Sequence, residues 1–514
     1  MCIAITEENQ KYLISFLSEV QLVIIGSGNQ SILNDTFYLK PSEVTVNGIS
    51  RDSCKYYCEL ESEENNVTLY FNETVNSSLA MFSQLDQIKE IDLSNFDFSE
   101  VTTMYEMFRN CRSLEEINFG NPNTSNVVDM KRLFYNCSKL NSLNLSSFDT
   151  SRVTTMDRMF YKCSNLKTIN LSSFNTKNVE SFHMFLYYCS KLTDVDISNF
   201  DTSNVRDIQY IFRDCRNLKS INLGYFNTSL VTNMECVFYH CEKLESIDLS
   251  SFDTTLATST SWMFFHCYSL TSLEFPSTFN TSNNQKMYAM FSHCMSLISL
   301  NLTIFDTTKV TDMSYMFNNC KKLKYLDIPH FSPKNITSVE YMFKNMTSLI
   351  YLNIYSLEIN NNTNKSQAFN LLLDDLKICA NGTNMQNYLL SQNKRYDCSD
   401  ICFIKNIKLD IINNSCLNSC EDNGYGFEYN NICYQKCPAD THSILSNSVG
   451  VCLDKNPEGY YLDEDGFYKN CFKSCENCFG PGNEKDNNCS SCKSNYLFLN
   501  DSIYISNCYA KCPY

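Results

Sequence analysis

The stretch Cys137–Cys163, CSKLNSLNLSSFDTSRVTTMDRMFYKC, contains two different apolar periods. Its first half places leucines at Leu140, Leu143 and Leu145, and the last spacing alternates as in a strand with one buried face. Its second half places apolar residues three or four positions apart from Val153 to Cys163, which predicts a short helix or tight helical turns. The intervening FDTS suits a turn and a helix N-cap.

The same pattern returns every 26 residues, apart from one extra residue in the segment 275–280. Leu85 and Met346 take the place of the final cysteine in the outermost copies, so the array has about eleven units between residues 76 and 360. One unit cannot bury its own apolar face, whereas stacked copies bury one continuous core. The sequence therefore predicts an α/β solenoid with a parallel β-sheet along one face.

The cysteine that ends each unit could form disulfides, bind metal or pack in the core. Equivalent sites in neighbouring units point the same way, and the helical side of a solenoid spreads to about 8–10 Å, beyond the roughly 7 Å that a disulfide allows between Cα atoms. Zinc needs converging ligands, and each unit supplies one thiol. Leu85 and Met346 in the same column favour packing. We therefore expect no metal site and predict a column of buried free thiols, namely Cys111, Cys137, Cys163, Cys189, Cys215, Cys241, Cys267, Cys294 and Cys320.

Three histidines precede the column cysteine in consecutive units, at His240, His266 and His293. They could bind metal or sense pH, or they could occupy a generally polar position, as Asn110 does in an earlier unit. The second interpretation is favoured because other units carry polar residues of several types there. Cys236 is out of register with the column and is expected near the surface.

The outward-facing strand positions of the units form a polar strip, because alternate side chains of a strand share a face. The position between the last two apolar residues is Asp, Asn or Glu in every unit. This strip could be a hydrogen-bonded ladder that keeps an exposed sheet soluble, or an extended recognition surface for a basic protein partner with aromatic anchors. The predicted partner-binding residues of this concave face are Asp92, Asp194, Asp196, Asn222, Asp248, Glu274, Asp327, Tyr325 and Tyr351.

The pattern LxLSxFDTSxVTxMxxMFxxC resembles the BspA-like leucine-rich repeat of bacterial and protist surface proteins, and it covers more than half of the chain. This resemblance implies the leucine-rich-repeat fold and a role in adhesion and in binding host or matrix proteins. The chain departs from the usual repeat at one position, where Phe148, Phe174 and Phe200 replace the common Asn or Cys. A column of aromatic rings is therefore expected in place of an amide ladder.

Four regions are predicted: a β-rich cap at 1–75, the repeats at 76–360, a cap or connector at 361–397 and cysteine-rich modules at 398–514. The first region has strand patterns around an Asn47-Gly48 turn signal, and Cys54 lies close enough to Cys58 for the two to bond. In the third region Asn370–Ala380 is a predicted helix, and Cys379 and Cys398 are a candidate bridge.

The C-terminal region resembles furin-like, growth-factor-receptor-type cysteine-rich repeats, in which closely spaced cysteines and an aromatic run recur. Small loop-rich modules need disulfides because their apolar core is small. The rival interpretation is zinc, since Cys475-x2-Cys478 and Cys489-x2-Cys492 also match metal-binding spacing. Disulfides are favoured, with their connectivity open. The candidates along the whole chain are Cys54, Cys58, Cys379, Cys398, Cys402, Cys416, Cys420, Cys433, Cys437, Cys452, Cys471, Cys475, Cys478, Cys489, Cys492, Cys508 and Cys512.

Composition narrows the function. The net charge of −16 argues against a nucleic-acid partner, whose binding relies on Lys and Arg. No apolar run in the chain is long enough to span a membrane as a helix. The six histidines are scattered, and the sequence has no nucleophile elbow, phosphate loop or paired His/Asp arrangement. We therefore expect neither enzyme activity nor a cofactor.

These patterns predict an extracellular or cell-surface recognition or adhesion protein that binds protein partners through the concave face of the solenoid. About twenty N-x-S/T sequons and the cysteine-rich region agree with an oxidising compartment. We expect the targeting or anchoring segments to lie outside this sequence. The alternatives are the ectodomain of a membrane receptor whose signalling part is absent from this chain, or an intracellular leucine-rich-repeat scaffold.

Overall fold

The computed structural model describes residues 17–394, residue 396 and short strand segments between residues 408 and 509. The chain forms two compact units, Met1–Tyr396 and Asp397–Tyr514. The first unit contains the predicted solenoid, whose coils are joined at equivalent positions 26 residues apart, such as Thr103 and Asp129. The described residues include no helix with the length and hydropathy needed to span a membrane.

A six-stranded sheet closes the N-terminal end of the solenoid. The first eight strands are β1 Ser18–Ile25, β2 Gly28–Ser31, β3 Glu43–Val46, β4 Ile49–Ser50, β5 Tyr57–Leu60, β6 Glu64–Phe71, β7 Ile88–Asp92 and β8 Glu116–Asn118. The sheet has the order β4-β3-β6-β1-β7-β8, and β2 pairs separately with β5. β1 buries Val20, Leu22 and Ile24 and runs antiparallel to β7, whereas β7 and β8 are parallel. The cap therefore covers the edge that the first coil would otherwise expose.

The parallel sheet of the repeats continues in short pieces. β9 Thr168–Asn170 pairs with β10 Asp194–Asp196, and β11 Tyr325–Asp327, β12 Tyr351–Asn353 and β13 Lys377–Cys379 form a three-stranded sheet. Coil stacking thus extends past residue 360. Helix α1 Thr383–Ser391 follows β13 and buries Met385 and Leu389.

The helix predicted over Asn370–Ala380 is wrong. This segment contains turns and then β13, in which Ile378 pairs with Leu352 of the preceding coil. The open parallel ladder of the last complete coil offers hydrogen bonds that an isolated segment lacks, so the strand forms in preference to a helix. The described helix α1 begins only at Thr383.

The second half of each coil contains no α-helix between residues 76 and 360, a range that the structure describes in full. It forms consecutive tight turns in which non-glycine residues adopt a left-handed backbone, as at Arg158 (φ 54°) and Lys162 (φ 58°). The Cys163 N–H bonds within the coil to the Phe160 carbonyl (3.1 Å), whereas the Arg158 N–H bonds to the His183 carbonyl of the next coil (2.9 Å). Of the two predicted alternatives, tight turns replace the helix.

An apolar spacing of three and four does not distinguish these two structures. A helix directs each N–H to the fourth residue back, but these turns direct a share of their N–H groups along the solenoid axis. Parallel bridges then join successive coils and create a second hydrogen-bonded face. The partner exists only in the stacked array, so a single unit cannot reveal it. The bridges run through Thr103, Asp129, Thr155, Ser181 and Asp207, and again through Asn233, Ser259, Lys286, Asp312, Ser338 and Asn364.

Two columns of phenylalanine fill the core. The column expected from the sequence is buried, with Phe148 and Phe252 as examples. A second column lies in the turn segments, where the rings of Phe108 and Phe134 stack with centroids 5.6 Å apart. Aromatic pairs contribute about 0.5–1.5 kcal/mol beyond their burial. Most rings stack on the equivalent ring of the next coil, and Leu186 interrupts the column between Phe160 and Phe212. The second column thus helps to fix the register of the coils.

The nine cysteines of the predicted column are buried free thiols in the structure. Each thiol donates a hydrogen bond to a carbonyl of the preceding coil, as Cys137 does to Phe108 (3.0 Å) and Cys163 to Phe134 (3.1 Å). Burial raises the pKa of Cys163 to about 12. Hydrogen bonds join the coils on this side, so the coils do not spread to helix-packing distances as the sequence argument assumes. Parallel side-chain directions, rather than distance, therefore explain why these thiols remain unpaired.

A buried threonine in the FDTS segment also joins neighbouring coils. Thr150 is 1% exposed, and its hydroxyl donates to the Asn175 carbonyl (3.0 Å) and accepts from the Asn175 N–H (2.8 Å). Thr228 makes the same two bonds to Asp253, at 2.7 and 2.9 Å. The sequence interpretation of FDTS as a turn and N-cap missed this role. The sequence indicates this role by repeating Thr at a position where Ser would be an equally good N-cap.

The second unit is described as strands. These are β14 Lys408–Asp410, β15 Ser415–Leu417, β16 Phe427–Tyr429, β17 Ile432–Tyr434, β18 His442–Ser446, β19 Val449–Leu453, β20 Tyr460–Leu462, β21 Phe467–Asn470, β22 Cys475–Cys478, β23 Cys489–Cys492, β24 Leu497–Asp501 and β25 Tyr504–Tyr509. Antiparallel hairpins associate in parallel to form a sheet of order β15-β14-β17-β16-β19-β18-β21-β20. β22 pairs with β23, and β24 with β25, both antiparallel.

Candidate interaction surface

The polar strip predicted from the sequence lies on the solvent-facing side of the solenoid's short strands. In β8, Glu116 and Asn118 are exposed on either side of buried Ile117, and β9 has the same arrangement. In β10, Asp194 is exposed and Asp196 is partly buried. These two outward positions in each coil are here named the polar strip. Among the predicted binding residues, the fully exposed members are Asp194, Asn222, Asp248 and Glu274, while Asp92, Asp196, Tyr325 and Asp327 are partly buried.

The Asp/Asn position of the polar strip forms an Asx turn in nine of its eleven occurrences, whereas Glu274 and Asp327 are followed two residues on by proline, which has no N–H to donate. The Asn144 side-chain oxygen accepts the Ser146 N–H (3.1 Å), and the Asp248 carboxylate accepts the Ser250 N–H (2.9 Å). The bonds from Ser250 lower the pKa of Asp248. The side-chain oxygen of Asp or Asn, three bonds from Cα, is well placed to accept this N–H, which explains why the position usually carries Asp or Asn. Further examples of this turn start at Asp92, Asn118, Asn170, Asp196, Asn222, Asn301 and Asn353.

The polar ladder that the sequence offered as an alternative is present in part. The Asn118 amide donates to the Asp92 carboxylate (3.1 Å), and the Asn353 amide donates to the Asp327 carboxylate (2.7 Å). Elsewhere on the strip, one oxygen of the side chain is engaged in its Asx turn. The remaining carboxylate oxygen or amide nitrogen is then the group that can face a partner.

A groove of about 530 Å³ opens at the N-terminal end of the polar strip. It is lined by β1, β6, β7, β8 and the following coil, and it includes the carboxylates of Glu90, Asp92 and Glu116. No lysine or arginine is among its described lining residues. Lys89 lies nearby and pairs with Glu64 (3.2 Å) and Glu90 (3.3 Å). We name this feature the anionic groove.

The C-terminal end of the strip differs from the predicted binding face. Tyr351 is 8% exposed and Asn353 1% exposed, so β12 is covered on both of its faces. Burial raises the pKa of Asp327 to about 6. Tyr351 is therefore not open to a partner in this structure, which corrects its assignment as an exposed aromatic anchor, and Tyr325 is only partly exposed.

The three consecutive histidines form a stack of rings. The His240 and His266 centroids are 4.4 Å apart, and the His266 and His293 centroids are 4.2 Å apart. Burial, followed by repulsion from His293, lowers the pKa of His266 to about 3. Asp214 lies 3.4 Å from the His240 Nδ1, and Asn319 hydrogen-bonds His293 at 3.1 Å. The histidines therefore continue a mixed column of polar side chains.

Arg213 is a structural residue that the sequence analysis missed. It lies over the rings of Tyr239 and Tyr187, 4.2 and 5.4 Å from their centroids, within a column of stacked tyrosines. The sequence does indicate this column of rings, because an aromatic residue precedes the column cysteine by two positions in several units. Cys236 lies beside Arg213 and is 3% exposed, so the expectation that it lies near the surface is wrong.

Some of the cysteines predicted to form disulfides are disulfide-bonded in the structure. Cys54 bonds to Cys58 and Cys471 to Cys478, and Cys379, Cys452 and Cys475 are also disulfide-bonded. Two of the four cysteines of the rival zinc pattern are thus oxidised. Among the described residues no three His, Cys, Asp or Glu side chains converge on a metal position. The strands of the second unit contain Cys416, Cys433, Cys489, Cys492 and Cys508, and the remaining candidates Cys398, Cys402, Cys420, Cys437 and Cys512 lie outside the described residues.

Two solved structures are similar to this chain. One is the crystal structure of a TLR13–ssRNA13 complex, with 13% identity, coverage of 63% of this chain and 52% of that chain, and a TM-score of 0.20. The other is an LRR protein of Leptospira interrogans, with 13% identity, coverage of 61% and 90%, and a TM-score of 0.23. The chain thus spans about half the length of the first of these proteins. No curated protein matches it.

A family match accounts for most of the first unit. The family described as "Mycoplasma protein of unknown function, DUF285" matches residues 76–195, 182–297 and 275–374, which together exceed half of the chain. These ranges follow the stacked coils. The stacked repeats of such a solenoid generate an extended surface, which is the feature that repeat proteins use for binding. The chain belongs to the DUF285 family.

Proposed function

We propose that this chain is an extracellular or cell-surface recognition and adhesion protein that binds the basic surface of a protein partner at the anionic groove. The observation that carries the proposal is the set of three carboxylates, Glu90, Asp92 and Glu116, in a groove whose described lining has no cation. Glu116 is exposed and is the first residue of β8. An arginine or lysine entering the groove would meet complementary charge on several sides.

The chemistry of the groove favours a protein over a nucleic acid. Phosphates would be repelled by the three carboxylates, and binding to a nucleic-acid backbone depends on lysine and arginine. The flat polar strip beyond the groove supplies hydrogen-bonding groups of the kind found at the rim of protein interfaces. Individual exposed ion pairs contribute only about 0.2–1 kcal/mol. Affinity would therefore come from several pairs acting together with contacts along the strip.

Two features support the extracellular location. Disulfides join Cys54 to Cys58 and Cys471 to Cys478, and disulfides persist in oxidising compartments. The second unit resembles furin-like cysteine-rich repeats in its sequence, and we propose that it forms a disulfide-bonded stalk for the solenoid. Mass-spectrometric mapping of disulfides in protein isolated from its native source tests the location, and fully reduced cysteines in residues 398–514 would favour the intracellular scaffold.

A peptide-display experiment tests the binding site. We expect a random peptide library selected on the immobilised full chain to become enriched in lysine and arginine. The double variant Glu90→Gln/Glu116→Gln should lose that enrichment, because it removes two of the three groove carboxylates. Glu63→Gln/Glu100→Gln is the matched control, since it removes two exposed carboxylates that do not line the groove. Enrichment of other residue types, or equal enrichment on the double variant, would contradict the proposal.

A further inference from the structure

Six N-x-S/T sequons of the first unit fall into two structural classes. Three of them, at Asn144, Asn170 and Asn301, lie on the polar strip and share one geometry. The Asn144 oxygen accepts both the N–H (3.1 Å) and the hydroxyl (2.8 Å) of Ser146, two residues on. Asn170 receives the same two bonds from Ser172, at 2.9 and 2.7 Å. All three asparagines are exposed, and within the described residues their side-chain nitrogens make no hydrogen bond.

In the second class, the side-chain nitrogen is used inside the fold. The Asn136 amide donates to the Asn110 oxygen of the preceding coil (2.9 Å), and the Asn345 amide donates to Asn319. Asn34 in the cap likewise donates to the Ser83 carbonyl (2.8 Å). All three sequon asparagines of this class are partly buried. A sugar on any of these nitrogens would remove the bond and occupy the space of the neighbouring coil.

We propose that Asn144, Asn170 and Asn301 are N-glycosylation sites and that Asn34, Asn136 and Asn345 are not. The inference rests on the proposed extracellular location, because a chain exported to that location passes through the secretory pathway, which supplies an activated, diphosphate-linked oligosaccharide. In the transfer, the asparagine Nδ2 forms a bond to the sugar C1, the bond from C1 to the diphosphate oxygen breaks, and Nδ2 loses a proton. Transfer precedes folding, so chains modified at a second-class site fail to close the coil and are absent from the secreted, folded protein.

The first-class sites deepen the description of the binding face. Asn144 lines the anionic groove on the side of the following coil. A glycan at this residue therefore bounds the groove towards the middle of the solenoid, and a second glycan at Asn170 covers the next coil. The partner then approaches from the side of the cap strands. Asp194 and Asp248, which lie beyond the two glycans, contribute less to binding than the groove carboxylates.

Variants that remove or create a sequon test this proposal. The full chain is secreted from a eukaryotic host, and glycan occupancy at each asparagine is measured by glycopeptide mass spectrometry. Ser146→Ala and Ser172→Ala should abolish occupancy at Asn144 and Asn170 while leaving both asparagines in place. Gly224→Ser should create occupancy at Asn222, which holds the same strip position without a hydroxyl two residues on. A Cβ at Gly224 would lie 3.4 Å from the Asn222 oxygen and 3.5 Å from Asp248, which is ordinary contact.

The possible outcomes separate this inference from the proposed location. Occupancy at Asn144, Asn170 and Asn301, together with bare Asn34, Asn136 and Asn345, supports it. Occupancy at Asn136 or Asn345 in folded, secreted protein overturns it. Occupancy at other sequons such as Asn381, with none on the strip, overturns this inference alone. In protein purified from its native source, the absence of glycans from every sequon would count against both this inference and the extracellular location.

Discussion

Replacing Thr150 by valine tests whether the buried threonines hold neighbouring coils together. Valine has nearly the shape of threonine but makes no hydrogen bond, so the Asn175 N–H and carbonyl lose the partner that they have at 2.8 and 3.0 Å. Leaving a buried polar group without a partner costs about 1–3 kcal/mol. The two Asn175 groups are only partly buried, so each is taken at about 1.4 kcal/mol, near the lower end of that range, and the added methyl group recovers about 0.8 kcal/mol. We therefore expect the free energy of opening this coil interface to fall by about 2 kcal/mol.

Hydrogen exchange measures this change locally, which is necessary because a solenoid does not unfold as a single two-state unit. A loss of about 2 kcal/mol should accelerate amide exchange roughly thirtyfold in peptides that contain Thr150 or Asn175. Thr150→Ser keeps the hydroxyl and should have a smaller effect. Thr168→Val changes an exposed threonine whose hydroxyl makes no hydrogen bond within the described residues, and it should be nearly neutral. Wild-type exchange rates in Thr150→Val, or an equal effect of Thr150→Ser, would refute the reasoning.

Three further predictions concern titrating groups. The column cysteines should react with N-ethylmaleimide far more slowly in the native than in the denatured protein, because burial raises the pKa of Cys163 and Cys320 to about 12; equal rates would contradict burial. Asp327→Asn should stabilise the first unit by about 2–3 kcal/mol in urea unfolding above pH 6, because burial raises the pKa of Asp327 to about 6. That gain should vanish as the pH falls towards the unfolded pKa, and a gain that is constant with pH would contradict it. His266→Phe should reduce the loss of unfolding free energy that occurs as the pH falls below about 6.5. In that pH range the unfolded histidine binds a proton, whereas the folded one, with a pKa of about 3, does not. Identical slopes of unfolding free energy against pH in the two proteins would contradict this prediction.

Residue spacing alone predicts the stacking of coils and the outward face of each strand. Both depend on period, and the period can be read from one chain. The choice between a helix and tight turns depends instead on hydrogen bonds to the next coil, as at Arg158 and His183, and no single unit contains that partner. Cys236 shows the same limit. Its left-handed backbone (φ 57°) turns the side chain towards Arg213, and backbone conformation at a non-glycine residue is not visible in the sequence.

The sequence predicts where the residues of the candidate site lie, but it predicts only part of what they do. Alternation correctly places Glu116 and Asp194 on the outside of a strand. The repeated Asp or Asn suggested a recognition surface, yet one oxygen of these side chains closes a turn, as Asp248 does with Ser250. In seven of the nine turns the residue two positions after the Asp or Asn is Ser or Gly, which is the sequence signal of that turn, and the other two have Thr303 and Tyr355 there. The burial of Tyr351 depends on what covers its face, which repeat spacing does not encode.

The bonds between coils run along the axis of the solenoid, and this direction has a mechanical consequence. A force that pulls the two ends of the array apart acts on every coil interface in series, so the interface with the fewest bonds opens first and limits the strength of the whole. The series of parallel bridges stops at Asp207 and resumes at Asn233, two residues that the structure describes without a bridge between them. On this turn side, three backbone hydrogen bonds join the coils at that interface, against five at the interface before it and five at the one after it. Under tension the turn side of the array should therefore open first at this interface.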